Sequence, residues 1–393
     1  MPGVLSQPVA RMSFSFTAEI LSLEAASDHS ESWRALAARA LEPNPFFAPD
    51  LALPGLRHLP EGRSGAVVMA WHGEERREVA GVLPIIGTGM RYLVPLPARQ
   101  SGAFYGTLST PLVDPDQPEA ILAAMLAALG RAGIQALLFP YLHEGGSVDL
   151  ALGRLAAETG LGRSRIDGFG RAFLQSPLPG SDYMRATLET RRRKEADRQR
   201  RRLADMGALA FRIARGPQEI AGAVEIFLDL EASGWKGRQG TDLRTAPGAA
   251  AFLRDAAAGL AIHDAIRVAI LSLDGRPIAA GLVLTAQDRA YYAKTCYAED
   301  LARFSPGFLL TLDLTAHLLD DPAIASADSI AIADHPMIDR LWTARFPVAS
   351  VLVQTGPAFA LIASAEGARE MVRQRSHLLR SRIQAWRASR SKG

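Results

Sequence analysis

Two apolar hairpins, one in each half of the chain, constrain the fold more than any other feature. The first runs Ala66-Val67-Val68-Met69-Ala70-Trp71, turns at His72-Gly73-Glu74-Glu75 and returns as Val79–Ile86. The second runs Val268–Leu273, turns at Asp274-Gly275 and returns as Pro277–Leu284. Runs of β-branched residues joined by Asp-Gly are a strong short-range hairpin signal. Each return strand also holds a glycine in the same setting, Gly81 in Val79-Ala80-Gly81-Val82-Leu83 and Gly281 in Ala279-Ala280-Gly281-Leu282-Val283.

The surroundings of the two hairpins repeat as well. A helix over Glu31–Ala40, stopped by Pro43 and Pro45, precedes the first. After it come strand signals near Arg91–Pro95 and Tyr105–Val113, a helix Glu119–Arg131, a strand Ala136–Tyr141, a helix Val148–Thr159 and a strand Gly170–Gln175. The second half reads as strand Ala208–Ala214, helices Pro217–Ser233 and Ala249–Leu260, then the hairpin and a strand Arg289–Tyr297. Helix Phe308–Leu319, strand Ser329–Ala333, helix Pro336–Arg345 and strand Ser350–Gln354 complete it. Shared element order predicts an internal duplication of one α/β unit, each copy a mixed, mostly antiparallel sheet flanked by helices. Residues 1–175 and 208–356 are the expected domains. A linker and basic helix occupy 176–207, and a basic helix ends the chain over 357–393.

Chemistry concentrates after the second hairpin. Aromatic and branched residues over Arg289–Tyr297 predict a strand, and Arg303-Phe304-Ser305-Pro306-Gly307-Phe308 predicts a helix start with Ser305 as N-cap and Pro306 at the first helical position. A helix N-terminus with a bare glycine on its first turn suits a phosphate group; the alternative is a capped helix and nothing more. Strict alternation puts Tyr291, Ala293, Thr295 and Tyr297 on one face, and Tyr292, Lys294 and Cys296 on the other. A lysine in the middle of a buried strand requires a carboxylate or an acidic ligand group nearby.

The 393 residues are 48% hydrophobic and 22% charged, with one cysteine, so neither an internal disulfide nor a cysteine-based metal cluster is available. No apolar run reaches membrane-spanning length and Met1–Thr17 lacks an apolar core, which predicts a cytoplasmic protein. The formal charge of +3 is unevenly spread, with basic residues gathered at 185–202 and 369–392. Such runs are either solvated faces or contacts for an anionic partner. For the tail, with Trp386 and leucines among its arginines, a peripheral place at the inner membrane surface is one option, and docking on its own domain is the other.

The order of two helices, hairpin, long strand, capped helix, strand, helix and strand resembles a GNAT acyltransferase unit. The whole chain resembles the double-GNAT proteins related to the Fem aminoacyltransferases, and among them the CelD-like, cellulose-biosynthesis acetyltransferase family. The residues carrying this are Glu231-Ala232-Ser233-Gly234-Trp235-Lys236-Gly237, Ala293-Lys294-Thr295-Cys296-Tyr297 with Phe304-Ser305-Pro306-Gly307, and Ala333-Asp334-His335-Pro336. The resemblance implies an acetyl-CoA or other acyl-CoA donor whose pyrophosphate meets Arg303, Ser305, Gly307 and Phe308. The donor site is expected in the second copy only, because Asp114-Pro115-Asp116-Gln117-Pro118 before the first copy's helix lacks glycine and its two carboxylates would repel a pyrophosphate. Pro306 has no N–H, leaving one donor fewer than the glycine-rich GNAT loop offers. That leaves room for an acyl carrier protein or an aminoacyl-tRNA instead of CoA.

The resemblance further implies that Asp334 and His335 lie where two strands splay and touch substrate or act in catalysis; Asp334 is equally placed to N-cap a helix at Pro336. Lys294 and Tyr297 complete the candidate catalytic set, Tyr297 as the acid for a leaving thiolate or as a packed residue, while Trp235 and Lys236 line an acceptor groove or, for Trp235, the core. The expected activity is acyl transfer to an amine or hydroxyl of a small molecule or envelope or exopolysaccharide precursor. Aminoacyl-tRNA-dependent transfer and a non-catalytic adaptor in polysaccharide assembly are the alternatives.

Overall fold

The computed structural model describes residues 16–373 except 74, 77, 93 and 94, and for 90, 235 and 236 the backbone only. Strands β1 (Phe16–Leu21), β2 (Ala66–His72), β3 (Val79–Gly87), β4 (Ala98–Ser101), β5 (Leu112–Val113), β6 (Ala136–His143) and β7 (Arg163–Leu174) come from the first half. The second half gives β8 (Leu209–Ala214), β9 (Ile266–Leu273), β10 (Arg276–Ala286), β11 (Arg289–Tyr297), β12 (Ser326–Asp328) and β13 (Ala344–Gln354). All belong to one sheet, ordered β1-β2-β3-β4-β6-β13-β7-β12-β11-β10-β9-β8, with β5 beside β3. Among the described residues only β4–β6 and β11–β12 pair in parallel.

The helices are α1 (Leu23–Ser27), α2 (Ser30–Arg39), α3 (Pro49–His58), α4 (Pro118–Arg131), α5 (Ser147–Thr159) and α6 (Gly180–Thr187). They continue as α7 (Thr190–Ala204), α8 (Gly216–Ser233), α9 (Trp235–Arg238), α10 (Ala249–Ile262) and α11 (Pro306–Asp320). A last helix spans 359–373. Residues 374–393, which hold most of the basic tail, lie outside the described residues. The arginines described near its start are engaged, Arg369 with Glu366 and Arg373 with Glu370 and Asp167.

The strand order reads as a duplication. Taking β1, β2, β3, β4 and β6 as counterparts of β8, β9, β10, β11 and β12, the same sequence of strands runs inward from each edge of the sheet. The halves also trade their last strands: β13 lies between β6 and β7, and β7 between β13 and β12. The hairpin glycines occupy matching registers, Gly81 opposite Ala70 and Gly281 opposite Ala269. Their shared reason is close packing against side chains over that face, from helix α4 at Gly81 and mainly from Tyr292 of β11 at Gly281. A Cβ on Gly81 would sit 2.7 Å from Ile121 and Met125 of α4, and one on Gly281 2.9 Å from Tyr292 and 3.4 Å from Leu310 of α11. The two helix starts match too, since Gln117 before Pro118 (φ 54, ψ 50) and Ser305 before Pro306 (φ 51, ψ 50) are both left-handed.

Several expected elements differ. Among the described residues of 91–95 there is no strand, and Arg91 ends a 3-10 helix. The run 105–113 is a strand only at Leu112–Val113, because Tyr105 turns through φ 53. In the second half Ser329–Ala333 is irregular, and in place of a helix over Pro336–Arg345 there is a 3-10 turn, Ile338–Arg340, and the start of β13 at Ala344. Positive φ at Ile330 (53) and Asp334 (57) breaks both patterns. The single basic helix expected within 176–207 is two, α6 and α7, parted at Leu188-Glu189 as Leu188 turns into the core.

A fully buried ion pair joins the traded strand β7 to its new neighbour β12. Arg171 of β7 donates through Nε (2.7 Å) and Nη2 (2.5 Å) to the two carboxylate oxygens of Asp328 on β12, and both side chains are 0% exposed. Its Nη1 donates to the carbonyl (2.5 Å) and hydroxyl (2.8 Å) of Thr107, whose hydroxyl in turn donates to the Ile330 carbonyl at 3.0 Å. Removing one member of such a pair strands a buried charge, at a cost of about 3–5 kcal/mol. Arg171→Met is therefore expected to lower unfolding free energy in urea by that order, and Arg171→Met combined with Asp328→Leu by less than Arg171→Met alone.

Candidate active site

The parallel pair β11–β12 is short. Arg289, Ala290 and Tyr291 face Ser326, Ala327 and Asp328; then β12 stops while β11 continues to Tyr297. From Tyr292 onward the edge of β11 away from β10 has no strand partner among the described residues, so the sheet opens there. A substrate passing through this gap would meet exposed backbone N–H and C=O groups.

At the mouth of the gap lies the helix start singled out in the sequence. Pro306 is at the first helical position of α11 as expected, but Ser305 does not act as a side-chain cap. It adopts the left-handed conformation and only its carbonyl engages the helix, accepting from Phe308 (2.9 Å) and Leu309 (3.1 Å). Gly307 is packed against Tyr297: a Cβ there would come within 3.1 Å of the ring. The preceding 3-10 helix, Glu299–Phe304, presents Arg303 with its guanidinium 4.7 Å from the Phe304 ring centre. Arg202, from the basic helix α7, approaches the same ring at 5.5 Å, and Arg200 pairs with Asp313 of α11 at 2.6 Å. Folding thus brings a distant cationic helix alongside the α11 N-terminus, where the helix dipole already favours an anion.

On the opposite face of the sheet the site is apolar. The β10–β11 register shifts between Leu282↔Lys294 and Val283↔Tyr292, leaving Ala293 as a bulge. The bulge breaks the alternation expected from sequence. Tyr292 hydrogen-bonds Thr311 on α11 (3.2 Å), whereas Lys294, expected on the same face, points across the sheet to Glu231 of α8 at 3.0 Å. Glu231, with its side chain 1% exposed, also accepts from the Leu243 N–H at 3.0 Å. The carboxylate demanded by a half-buried Lys294 is therefore present. Cys296 is buried with its thiol directed at the Phe227 carbonyl, and Tyr291, buried and held protonated by that burial, donates to the Pro43 carbonyl at 2.6 Å.

Above Lys294 is a cavity of ≈ 220 Å³ walled by both halves, including Phe46, Phe104, Tyr105, Phe252 and Ala257. Tyr105 stacks on Phe252 (5.6 Å, 18°), and the Lys294 ammonium lies 5.4 Å from its ring centre. Burial first, then the carboxylates of Glu61 and Glu231, push the Tyr105 hydroxyl above its ordinary pKa, so it stays protonated at neutral pH. Sequence reading missed Tyr105 by assigning it to a strand; the signal was an aromatic pair, Phe104-Tyr105, directly before Gly106.

The first half has no equivalent opening. Aligning Gly81 with Gly281 sets Leu112 and Val113 of β5 opposite β3 where Lys294 and Thr295 stand opposite β10. Ser101 then matches Ala290. Between these points the second half has residues 291–293 and the first half has 102–111. This longer excursion closes over the first half's own gap, with the Ser109 N–H bonded to the Tyr141 carbonyl (3.2 Å) and Asn44 Nδ2 to the Thr110 carbonyl (2.7 Å). Glu119, paired with Arg154, occupies the first turn of α4 where α11 has Gly307.

The other sequence candidates are more scattered. Asp334 is exposed on a turn, with no helix at Pro336 to cap, and His335 Nδ1 accepts weakly from the Met337 and Ile338 amides (3.4 and 3.5 Å). Among the described residues no hydrogen bond or ion pair connects either to Lys294, Tyr297 or the α11 start. Trp235 and Lys236 open α9, beside the 3-10 helix through the Arg238–Glu299 ion pair; their side chains lie outside the described residues.

Comparison with known proteins agrees with this geometry. Residues 190–333 match the family described as acetyltransferase (GNAT) domain. Among solved structures, the C-terminal domain of a putative lysylphosphatidylglycerol synthetase from Agrobacterium fabrum is similar at TM-score 0.55, with 12% identity over 87% of this chain and 96% of that one. FemX is similar at TM-score 0.54, with 10% identity over 82% and 95%. A tandem GNAT protein from the clavulanic acid biosynthesis pathway has 17% identity over 87% and 99%, at TM-score 0.43. No curated protein sequence matches the chain. The fold is α/β and GNAT-like, a mixed sheet flanked by helices, and the stretch that matches the acetyltransferase (GNAT) domain family runs from α7 to just past β12. Among the described residues no helix is long and apolar enough to cross a membrane.

The left-handed Ser305 gives a direct check on the helix start. Because no side-chain cap exists to lose, Ser305→Ala should change unfolding free energy by less than about 0.5 kcal/mol, where a genuine cap would cost about 1 kcal/mol. Ser305→Gly should be neutral or stabilising by up to about 1 kcal/mol, since glycine removes the left-handed strain. Denaturant titration of the two variants decides it.

Proposed function

We propose that the second half is the catalytic one and transfers an acyl group from acetyl-CoA or another acyl-CoA to an amine or hydroxyl of a small molecule. The resemblance to the CelD-like family supports an envelope or exopolysaccharide precursor as acceptor. One observation carries the reading: the β11–β12 opening lies between the α11 N-terminus on one face and the cavity at Lys294 on the other, within the segment matching the GNAT domain family. In this reading the donor's phosphates lie at Gly307 and Arg303, with Phe308 beside them. The thioester enters the gap, its carbonyl oxygen held by a backbone N–H of the open β11 edge. The acceptor nitrogen or oxygen attacks the thioester carbon and the C–S bond breaks. The proton released by the acceptor ends on the departing thiolate, with Tyr297 beside Gly307 as the group that delivers it.

A donor larger than CoA is favoured by a separate feature, the packing of α7 against the donor loop with Arg202 and Arg303 on one aromatic ring. The cations compensate for the N–H missing at Pro306, and the exposed Arg191 and Lys194 extend the positive surface beyond what a pyrophosphate spans. An aminoacyl-tRNA or an acidic acyl carrier protein would use that extension.

Calorimetric titration with CoA, acetyl-CoA and tRNA tests both. Gly307→Val is expected to weaken donor binding at least ten-fold, because its side chain stands where a phosphate approaches and also crowds Tyr297. Arg202→Ala should reduce affinity for tRNA more than for CoA if the larger donor is the true one, and for both alike if CoA is. Equal donor affinity in wild type and folded Gly307→Val would remove the α11 start from the site.

A further inference from the structure

We infer that the cavity beneath Tyr105 receives a hydrocarbon group of the substrate, an alkyl chain or aromatic ring, and that the inserted loop 102–111 of the first half sets how large that group can be. This rests on the acyl-transfer reading for the identity of the site, and extends it to the class of molecule handled.

The lining is the first reason. Among the described residues around the cavity only Lys294 is charged, and its ammonium is already committed to Glu231 at 3.0 Å and to the face of Tyr105 at 5.4 Å. A phosphate, carboxylate or polyhydroxyl group placed here would exchange water for Phe104, Leu243, Phe252 and Ala257, and would lose hydrogen bonds that this wall cannot return. A hydrocarbon loses nothing and gains burial. At ≈ 220 Å³ the space fits a substituent rather than a whole ligand, since complete ligand sites are typically about 300–1,000 Å³.

The second reason is how the cavity is closed. Where the second half has three residues, 291–293, with Ala293 as the bulge, the first half has ten, 102–111, and these reach the second half as a roof through Tyr105 on Phe252. Tyr105 holds a left-handed backbone (φ 53) and lies flat on Phe252, while two residues on Thr107 is fastened to Arg171 and to the Ile330 carbonyl. A loop strained at its tip and anchored by a buried ion pair is a rigid boundary, so it fixes the depth available below it. The floor is equally specific: Ala256 and Ala257 of α10, together with Ala293, leave the space that longer side chains would fill.

The hydrocarbon has two possible sources, the acyl chain of the donor, arriving through the β11–β12 gap, or an apolar group on the acceptor. Calorimetry with CoA, acetyl-, butyryl-, hexanoyl- and octanoyl-CoA, and separately with hexylamine, distinguishes them. It is run on wild type and on Ala257→Phe, with Ala256→Leu as a second filling variant and circular dichroism to confirm folding. If the donor supplies the chain, affinity should rise about four-fold per methylene until the cavity is full, then level off. That gain should vanish in the filled variants while CoA itself binds as before. If the acceptor supplies it, the acyl-CoAs should bind alike and hexylamine should bind wild type at least ten-fold more tightly than Ala257→Phe. Hexylamine binding that depends on the cavity, in a protein that binds no CoA, would sustain this inference and sink the acyl-CoA reading. Acyl-CoAs of equal affinity together with hexylamine binding that is absent or indifferent to both filling variants would overturn the inference and leave the acyl-CoA reading standing.

Discussion

The Arg171–Asp328 pair is the interaction on which the rest of the molecule depends. Two charges with no exposure are expensive to desolvate, and they persist because the geometry is bidentate and Nη1 of the guanidinium is met by the carbonyl and hydroxyl of Thr107. The pair sits where β7 of the first half meets β12 of the second. It therefore fixes the seam between traded β7 and β12, the point at which β12 ends, and the base of the loop that carries Tyr105. Ile330, just past Asp328, is a β-branched residue in left-handed backbone, and its amide is held by the Asp328 carboxylate at 3.0 Å. A strained turn of this kind survives only where neighbours over-determine it. The opening of the sheet beside β11 is a direct consequence.

Strand trading also explains why the halves cannot be weighed separately. One continuous hydrophobic core takes in β2, β3 and α4 from one half and β9, β10 and α11 from the other. Helices α3 and α10 lock together through Asp255, which meets Arg57 and His58 at 2.9 Å each, and Gly248 touches the His58 carbonyl so closely that no Cβ fits. With the frame shared, the duplicated gap was free to diverge. One copy keeps a single-residue bulge and stays open. The other expands the same point into a ten-residue excursion that seals its own gap and roofs its neighbour's.

The two faces of the open copy differ in their chemistry. On the α11 side, a helix N-terminus, Arg303 and the basic helix α7 make an electropositive approach. On the α8–α10 side the wall is apolar and its one cation is neutralised by Glu231. An acyl donor is built the same way, anionic at one end and uncharged at the reacting end. The sheet opening separates the two environments by the thickness of one strand.

The sequence by itself determined the local elements and the duplication. Apolar runs closed by Asp274-Gly275, a helix begun at Pro306, and the repeated setting of Gly81 and Gly281 are short-range properties, readable because turn and packing geometry limit which residues serve there. It also established that Lys294, in a buried strand, must find a carboxylate. Only the tertiary structure decided which one, since Glu231 lies 63 positions away on another helix. The bulge at Ala293 was invisible for the same reason: a register shift is a property of two paired strands, and it turned Lys294 and Tyr292 to opposite faces. Tyr105 over Lys294, Arg202 beside Phe304, and the exchange of β7 and β13 are likewise contacts between segments far apart in the chain. Ser305 shows the opposite error, where a residue ideal for capping by composition is held left-handed by the 3-10 turn before it and the proline after it, so that its side chain caps nothing.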